Sequence, residues 1–143
     1  MTDATIGLGT ILAYGDDGSP ETFTTLAEVT NITGPGMSRE TPDATHMLSP
    51  DGYREFLGGL KDGGEVTVEC NHLPNDASQD SSTGVLALFE SGDRRNWRIT
   101  FPTTPTVIWQ FLAVVSAFEP SFPLDDKMGL SVTLKVSGKP AFL

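Results

Sequence analysis

Alternation with a period of two dominates this chain. Leu130, Val132, Leu134 and Val136 alternate with Ser131, Thr133, Lys135 and Ser137, and Val66, Val68 and Cys70 alternate with Thr67, Glu69 and Asn71. Trp97, Ile99 and Phe101 alternate with Asn96, Arg98 and Thr100 in the same way. Successive side chains of an extended strand point to opposite faces, so each segment predicts a strand with one buried face. Residues 107–118 are apolar at nearly every position, which predicts a strand covered on both sides. Two earlier strands are expected at residues 9–14 and 23–33, joined by the turn Gly15-Asp16-Asp17-Gly18-Ser19-Pro20. Residues 118–127 carry Pro120 and Pro123, which have no backbone N–H to give a central strand, and read as a long rigid turn.

One helix is expected, over residues 80–91. Asp80, Ser81 or Ser82 supplies a cap, Val85, Leu86, Leu88 and Phe89 form an apolar stripe, and Gly92 is the stop. The pattern as a whole predicts a strand-rich single domain over 1–143, with one amphipathic helix closing an open end or face of the sheet.

Residues 38–64 form one connection too long for a compact domain. Within it Tyr53, Phe56, Leu57 and Leu60 recur at helix-like spacing, bracketed by Gly52, Gly58, Gly59, Gly63 and Gly64. The glycines let the chain turn sharply and leave the segment loose, while the apolar cluster needs a surface to pack on. That surface is either the domain's own core or a neighbouring subunit.

Composition narrows the function more by exclusion. With 143 residues, 38% hydrophobic and 20% charged, the chain is long enough for a hydrophobic core and too apolar for disorder. Its longest apolar run carries Gln110 and Ser116 and is too short to span a bilayer, so no membrane insertion is expected. No basic region followed by an apolar stretch opens the chain, and the single Cys70 has no internal partner, which points to assembly in a reducing cytoplasm.

The net charge of −10 argues against general nucleic-acid binding. It is uneven: residues 1–93 hold 16 acids and 3 bases (16 − 3 gives −13), and residues 94–143 hold 3 acids and 6 bases (+3). Oppositely charged regions of this kind suit complementary surfaces between identical subunits. Arg94-Arg95-Asn96-Trp97-Arg98 reads as a strand entry with Trp97 on the apolar face rather than as a nucleic-acid patch. Cys70 and His72 share a strand face, but two ligands do not make a zinc site. No nucleophile elbow, phosphate loop or dinucleotide fingerprint is present, so no catalytic residue, metal or cofactor is expected. The alternative to a structural protein is a non-catalytic β-sandwich binding module, for carbohydrate or another surface. Trp97, Phe101, Trp109 and Phe111 occupy core-like alternating positions, which counts against it.

Several segments, in this order along the chain, carry a resemblance. They are Ser19-Pro20-Glu21-Thr22-Phe23, Ile32-Thr33-Gly34-Pro35-Gly36, and Gly52-Tyr53-Arg54-Glu55-Phe56 with Gly59-Leu60-Lys61-Asp62-Gly63-Gly64-Glu65-Val66. Phe89-Glu90-Ser91-Gly92, Trp97-Arg98-Ile99-Thr100-Phe101-Pro102 and Phe118-Glu119-Pro120 with Pro123-Leu124-Asp125-Asp126-Lys127 follow. Ser131-Val132-Thr133-Leu134-Lys135-Val136-Ser137-Gly138-Lys139-Pro140 completes the set. Together they resemble the major tail tube proteins of long-tailed, lambda-like bacteriophages.

That resemblance implies an antiparallel β-sandwich or partial barrel with one flanking helix and a long inter-subunit loop. It implies homohexameric rings stacked into the tail tube of a virion, assembled in the bacterial host cytoplasm. The partners implied are further copies of itself, the tape measure protein, the tail terminator, and distal tail or baseplate proteins. Double-stranded DNA would pass along the lumen without specific binding. Inter-subunit or inter-ring contacts are expected at Tyr53, Arg54, Phe56, Leu57, Leu60 and Lys61, and at Asp125, Asp126 and Lys127. Glu28, Glu65, Thr67 and Glu69, on polar faces of expected strands, are the candidates for lining the lumen. Six copies carry a formal −60, which would repel phosphates from the wall.

Overall fold

The computed structural model describes residue 2 and residues 4–143. Nine strands and one helix follow in the order β1 (Ile11–Gly15), β2 (Phe23–Thr25), β3 (Val29–Thr33), β4 (Ser38–Arg39), β5 (Lys61–Asp62), β6 (Glu65–Asn71), α1 (Val85–Ser91), β7 (Arg95–Thr100), β8 (Ile108–Ser121) and β9 (Gly129–Phe142). Seven strands make one antiparallel sheet in the order β2-β1-β7-β8-β9-β6-β3, and β4 pairs with β5 in a separate ribbon.

The long strands β8 and β9 fold this sheet into two halves. β7 pairs only with residues 108–113 of β8, and β6 pairs only with residues 129–135 of β9. Register shifts between Gln110 and Leu112 and between Val115 and Ala117 bend β8 where it passes from one half to the other. One half is β2-β1-β7 with the first part of β8. The other is β3-β6-β9 with the last part of β8, a four-stranded layer. The alternation read from sequence selects the inner face: Val66, Val68, Cys70, Leu130, Val132, Leu134, Trp97, Ile99 and Phe111 are buried in one core with Leu12, Tyr14 and Leu26. Helix α1 adds Val85 and Leu88 to it. The sandwich with one flanking helix is therefore the architecture present, folded from a single open sheet.

Four expectations are corrected. Residues 23–33 are two strands: residues 26–28 separate them, and Glu28 at φ 49°, a left-handed backbone, turns the chain just before β3. The helix starts at Val85 because the Asp80 carboxylate accepts backbone N–H bonds from Thr83 (2.8 Å), Gly84 (3.0 Å) and Ser82 (3.2 Å), closing a separate turn. A Cβ on Gly84 would lie 2.5–2.6 Å from the backbone of Gln79, so only glycine fits where turn and helix meet. β8 runs through Pro120, which stands opposite Leu130, because β7 has already ended and that edge of β8 has no strand partner. Finally, β8 is covered fully on one face only. Phe111, Ala113 and Val115 are buried, whereas Leu112 and Val114 remain partly exposed on the other face.

Ser78 and Gln79, absent from the sequence reading, hold the turn before α1 against the sheet. Gln79 Nε2 donates to the carbonyls of Asn71 (3.0 Å) and Ala27 (3.2 Å), and its Oε1 accepts from Leu73 N–H (2.9 Å). Ser78 Oγ accepts from Ala27 N–H (3.1 Å). Both side chains are buried with these partners satisfied, which is the condition for burying polar groups cheaply.

Candidate assembly surfaces

The four-stranded half presents one polar face away from the core. On β6 it carries Glu65, Thr67 and Glu69. The register sets Lys135, Thr133 and Ser131 of β9 directly opposite them, and Thr33 and Asn31 of β3 opposite Thr67 and Glu69 on the other side. Ala117, Glu119 and Ser121 of β8 extend the same face, opposite Thr133, Ser131 and Gly129. The period of two requires this grouping, because Val66, Val68 and Cys70 take the inner positions. Three carboxylates against one ammonium leave the face acidic. The structure thus brings Glu65, Thr67 and Glu69 together. Glu28 lies off the strands, but its Oε1 accepts from Asn71 Nδ2 at 3.1 Å, placing it at one end of this face. Glu119 was hidden in sequence by the prolines beside it, which read as a turn.

This half-sheet has two free edges. One is β3, and the other is residues 117–121 of β8, each of five residues. Both are irregular: β3 has a register shift between Val29 and Asn31, and β8 carries Pro120. Short, irregular edges discourage indiscriminate strand addition.

Residues 38–62 form a hairpin arm rather than a helix. From its root pairs, Ser38 with Asp62 and Arg39 with Lys61, it continues through Glu40 N–H to Leu60 carbonyl (2.9 Å) and Leu57 N–H to Pro42 carbonyl (2.9 Å). It continues to an isolated bridge between Asp43 and Phe56 and to Ala44 N–H on the Glu55 carbonyl (2.8 Å). The spacing of Tyr53, Phe56, Leu57 and Leu60 therefore does not mark a helix; only Pro50–Gly52 make a short helical turn at the tip. Extended pairing across the arm satisfies the backbone groups that a helix would otherwise bond internally. Arg54 meets Asp43 at 3.2 Å, and the Asp43 carboxylate is held below its ordinary pKa first by the Thr45 hydroxyl and N–H and then by Arg54.

The arm's apolar side chains are not part of the domain's own core. Tyr53, Leu57 and Leu60 are 75%, 62% and 80% exposed, and Met47 and Leu48 at the tip, which the sequence reading passed over, are exposed as well. Its root is held tightly, against the looseness expected of its glycines. A Cβ on Gly64, at φ 72°, would collide with the Gly36 carbonyl, and one on Gly63 would press on Val136. Gly64 serves close approach between backbones, and Gly63 leaves room for the Val136 side chain.

The β8–β9 turn lies at the opposite end of the half-sheet from the arm. Leu124 at its tip is fully exposed, Phe122 is exposed but packs edge-on to His72 (5.8 Å between ring centres), and Lys127 N–H donates to Asp126 (2.7 Å). Beside the arm's root, Met37, Arg39, Lys61, Gly63, Lys139, Pro140 and Phe142 surround a groove of about 550 Å³. The expected contact residues therefore divide between two opposite rims, with Tyr53 to Lys61 on one and Asp125 to Lys127 on the other. Among the described residues no helix is long and apolar enough to cross a membrane, and no group of three or more His, Cys, Asp or Glu is gathered for a metal.

A family model described as lambda phage tail tube protein matches residues 6–143. No curated protein sequence matches the chain. The fold is similar to that in the tail of an empty gene transfer agent particle, refined with C6 helical symmetry, at 19% identity and TM-score 0.75, covering 98% of this chain and 99% of that one. It is similar to a chain of the PVC sheath–tube complex, an extracellular contractile injection system in its extended state (14% identity, TM-score 0.70, 99% and 93% covered). The SPP1 tail tube matches at 12% identity and TM-score 0.72, covering 97% of this chain and 78% of that one.

Proposed function

The chain belongs to the lambda phage tail tube protein family, and we propose that six copies close into a ring through the two free edges of the half-sheet. As a family member it is a structural, non-catalytic protein of a virion or virion-like tail. The observation that carries the ring is the four-stranded half-sheet with unpaired β3 at one side and unpaired residues 117–121 of β8 at the other.

An even number of strands per subunit matters. β3 and β9 run one way, β6 and β8 the other, so β8 of one copy meets β3 of the next in antiparallel sense all round the ring. Six copies then give 24 strands, and at ~4.8 Å per strand the circumference is roughly 115 Å before tilt, a backbone diameter of roughly 37 Å or more. A duplex fits within it. The six-fold symmetry of the similar gene transfer agent tail supports the count.

In this ring the acidic face of Glu65, Glu69 and Glu119 turns to the lumen. It repels phosphates, so DNA passes without the counterion release that would hold it to a basic wall. The arm, with its exposed Tyr53, Phe56, Leu57 and Leu60, packs onto a neighbouring subunit or ring. The tape measure protein fills the lumen before DNA does, and the terminator and distal tail proteins cap the two rims. Electron microscopy of the concentrated protein tests the reading: rings or hollow tubes with six-fold symmetry support it. A protein that stays monomeric at every concentration, alone and with its tail partners, sinks it.

A further inference from the structure

The root of the arm and the opposite rim of the half-sheet carry opposite charge. At the arm's root, residues 34–40, 60–64 and 135–142 hold four bases (Arg39, Lys61, Lys135, Lys139) and two acids (Glu40, Asp62), while the arm beyond the root adds three acids (Asp43, Asp51, Glu55) and one base (Arg54). One of the root's acids is already engaged, Asp62 by Lys135 at 3.7 Å. At the other end, residues 26–28, 72–84 and 122–128 hold five acids (Glu28, Asp76, Asp80, Asp125, Asp126) and one base, Lys127. About ten residues of β9 separate the rims, roughly 30 Å at the rise of a strand.

Each rim also carries one half of an apolar fit. The groove at the arm's root has Met37, Pro140 and Phe142 for apolar walls and Arg39, Lys61 and Lys139 at its margin. The β8–β9 turn offers a fully exposed Leu124 followed at once by Asp125 and Asp126. Leu124 is fully exposed, Met37 and Phe142 are about half exposed, and the two features lie at opposite ends of the sheet.

We infer that the β8–β9 turn of a second copy, in the adjacent ring, seats Leu124 in the arm-root groove and sets Asp125 and Asp126 against Arg39 and Lys139. This rests on the stacked-ring reading and names the contact that does the stacking. A patch that meets a different patch on the next copy generates an open filament rather than a closed pair, as a tube requires. The acidic turn rim also disfavours rings stacked turn to turn, where like would face like.

Three variants test the inference by electron microscopy and sedimentation. Asp125→Lys with Asp126→Lys should leave rings but reduce the tube fraction by roughly tenfold or more. Arg39→Glu with Lys139→Glu should do the same, and the four changes together should restore tubes. As a check independent of folding effects, oxidised tubes of Pro123→Cys with Ser38→Cys, which flank the contact and leave Leu124, Asp125, Asp126, Arg39 and Lys139 in place, should run as a ladder of cross-linked chains under non-reducing conditions. Tubes formed normally by the first variant, failure of the fourfold variant to recover, or no ladder overturns the docking. If the unaltered protein forms rings and tubes while these results fail, the docking alone falls. If it forms neither, the ring reading falls with it.

Discussion

Asp43 and Phe56 face each other across an antiparallel bridge, which makes residues 38–62 a hairpin whose apolar side chains project away from the domain. The arm's cross-strand bonds pair part of its own backbone, and its root is fixed to the domain at Gly63 and Gly64, so its exposed apolar side chains contribute little to either. Removing its apolar groups therefore separates assembly from stability. Phe56→Ser with Leu57→Ser should change the monomer's stability by no more than about 1 kcal/mol, as expected for exposed positions. The same variant should fail to form tubes. Thermal unfolding and electron microscopy of one preparation check both halves, and normal polymerisation would place the anchor elsewhere.

The acidic half-sheet face makes a prediction about DNA. Glu69→Lys with Glu119→Lys reverses two charges per subunit at positions that stand on either side of Ser131, with no core contact to lose. Tubes should still form. They should now retain double-stranded DNA at low salt, with an affinity that falls linearly on a log–log plot against salt concentration. In particles, release of DNA should slow. Reversed tubes that bind no more DNA than the unaltered ones would remove this face from the lumen.

β6, β7 and β9 were legible in the sequence because one face is buried and the other wet, and burial imposes a period of two. β9 is the clearest case, with four inner positions at strict alternation. The arm was not legible in form. Tyr53, Phe56, Leu57 and Leu60 stay mostly exposed and outside the core, so no buried face constrains their spacing, and a helix-like interval arose without a helix. Pro120 misled for a different reason: whether proline is tolerated depends on where β7 ends, which is a fact about the partner strand. Glu65, Thr67 and Glu69 were found by alternation, whereas Glu119 needed the register with Ser131 to join them.

Core packing gives a stability prediction. Leu134 is fully buried between Val66 and Val115 on the neighbouring strands. Leu134→Ala removes apolar contacts and leaves a cavity, so a loss of about 2–5 kcal/mol is expected. Denaturant titration of the monomer measures it, and a loss below 1 kcal/mol, a tenfold-smaller equilibrium effect than most of that range, would show that the bent sheet collapses readily around the gap.

Asp80 organises the turn before α1 and predicts a response to acid. Its carboxylate is held below the ordinary aspartate pKa, chiefly by Thr83 N–H and further by Ser82, the Thr83 hydroxyl and Gly84. A lowered folded-state pKa contributes stability above the ordinary aspartate value of about 3.9, and that stability is lost as pH falls through the depressed value. Asp80→Asn should lower the melting temperature at neutral pH and flatten its decline below about pH 4. Equal acid slopes in both proteins would assign the acid response to other carboxylates, with Asp16, Asp62 and Asp76 the next candidates because theirs are lowered too.

The ring itself is open to measurement at the backbone. Among the described residues, amides on the outer sides of β3 and of residues 117–121 have no strand partner, so they exchange with solvent without prior unfolding. If β8 of one copy pairs with β3 of the next, the same amides become ladder donors on assembly. Hydrogen exchange read by mass spectrometry should then show new protection in peptides covering residues 29–33 and 117–121 when tubes form. Peptides from β6 and the first half of β9 are already paired on both sides and should change little. Protection confined to the arm, with both edges still exchanging freely, would mean that copies meet through the arm alone and that the lumen wall is not a continuous sheet.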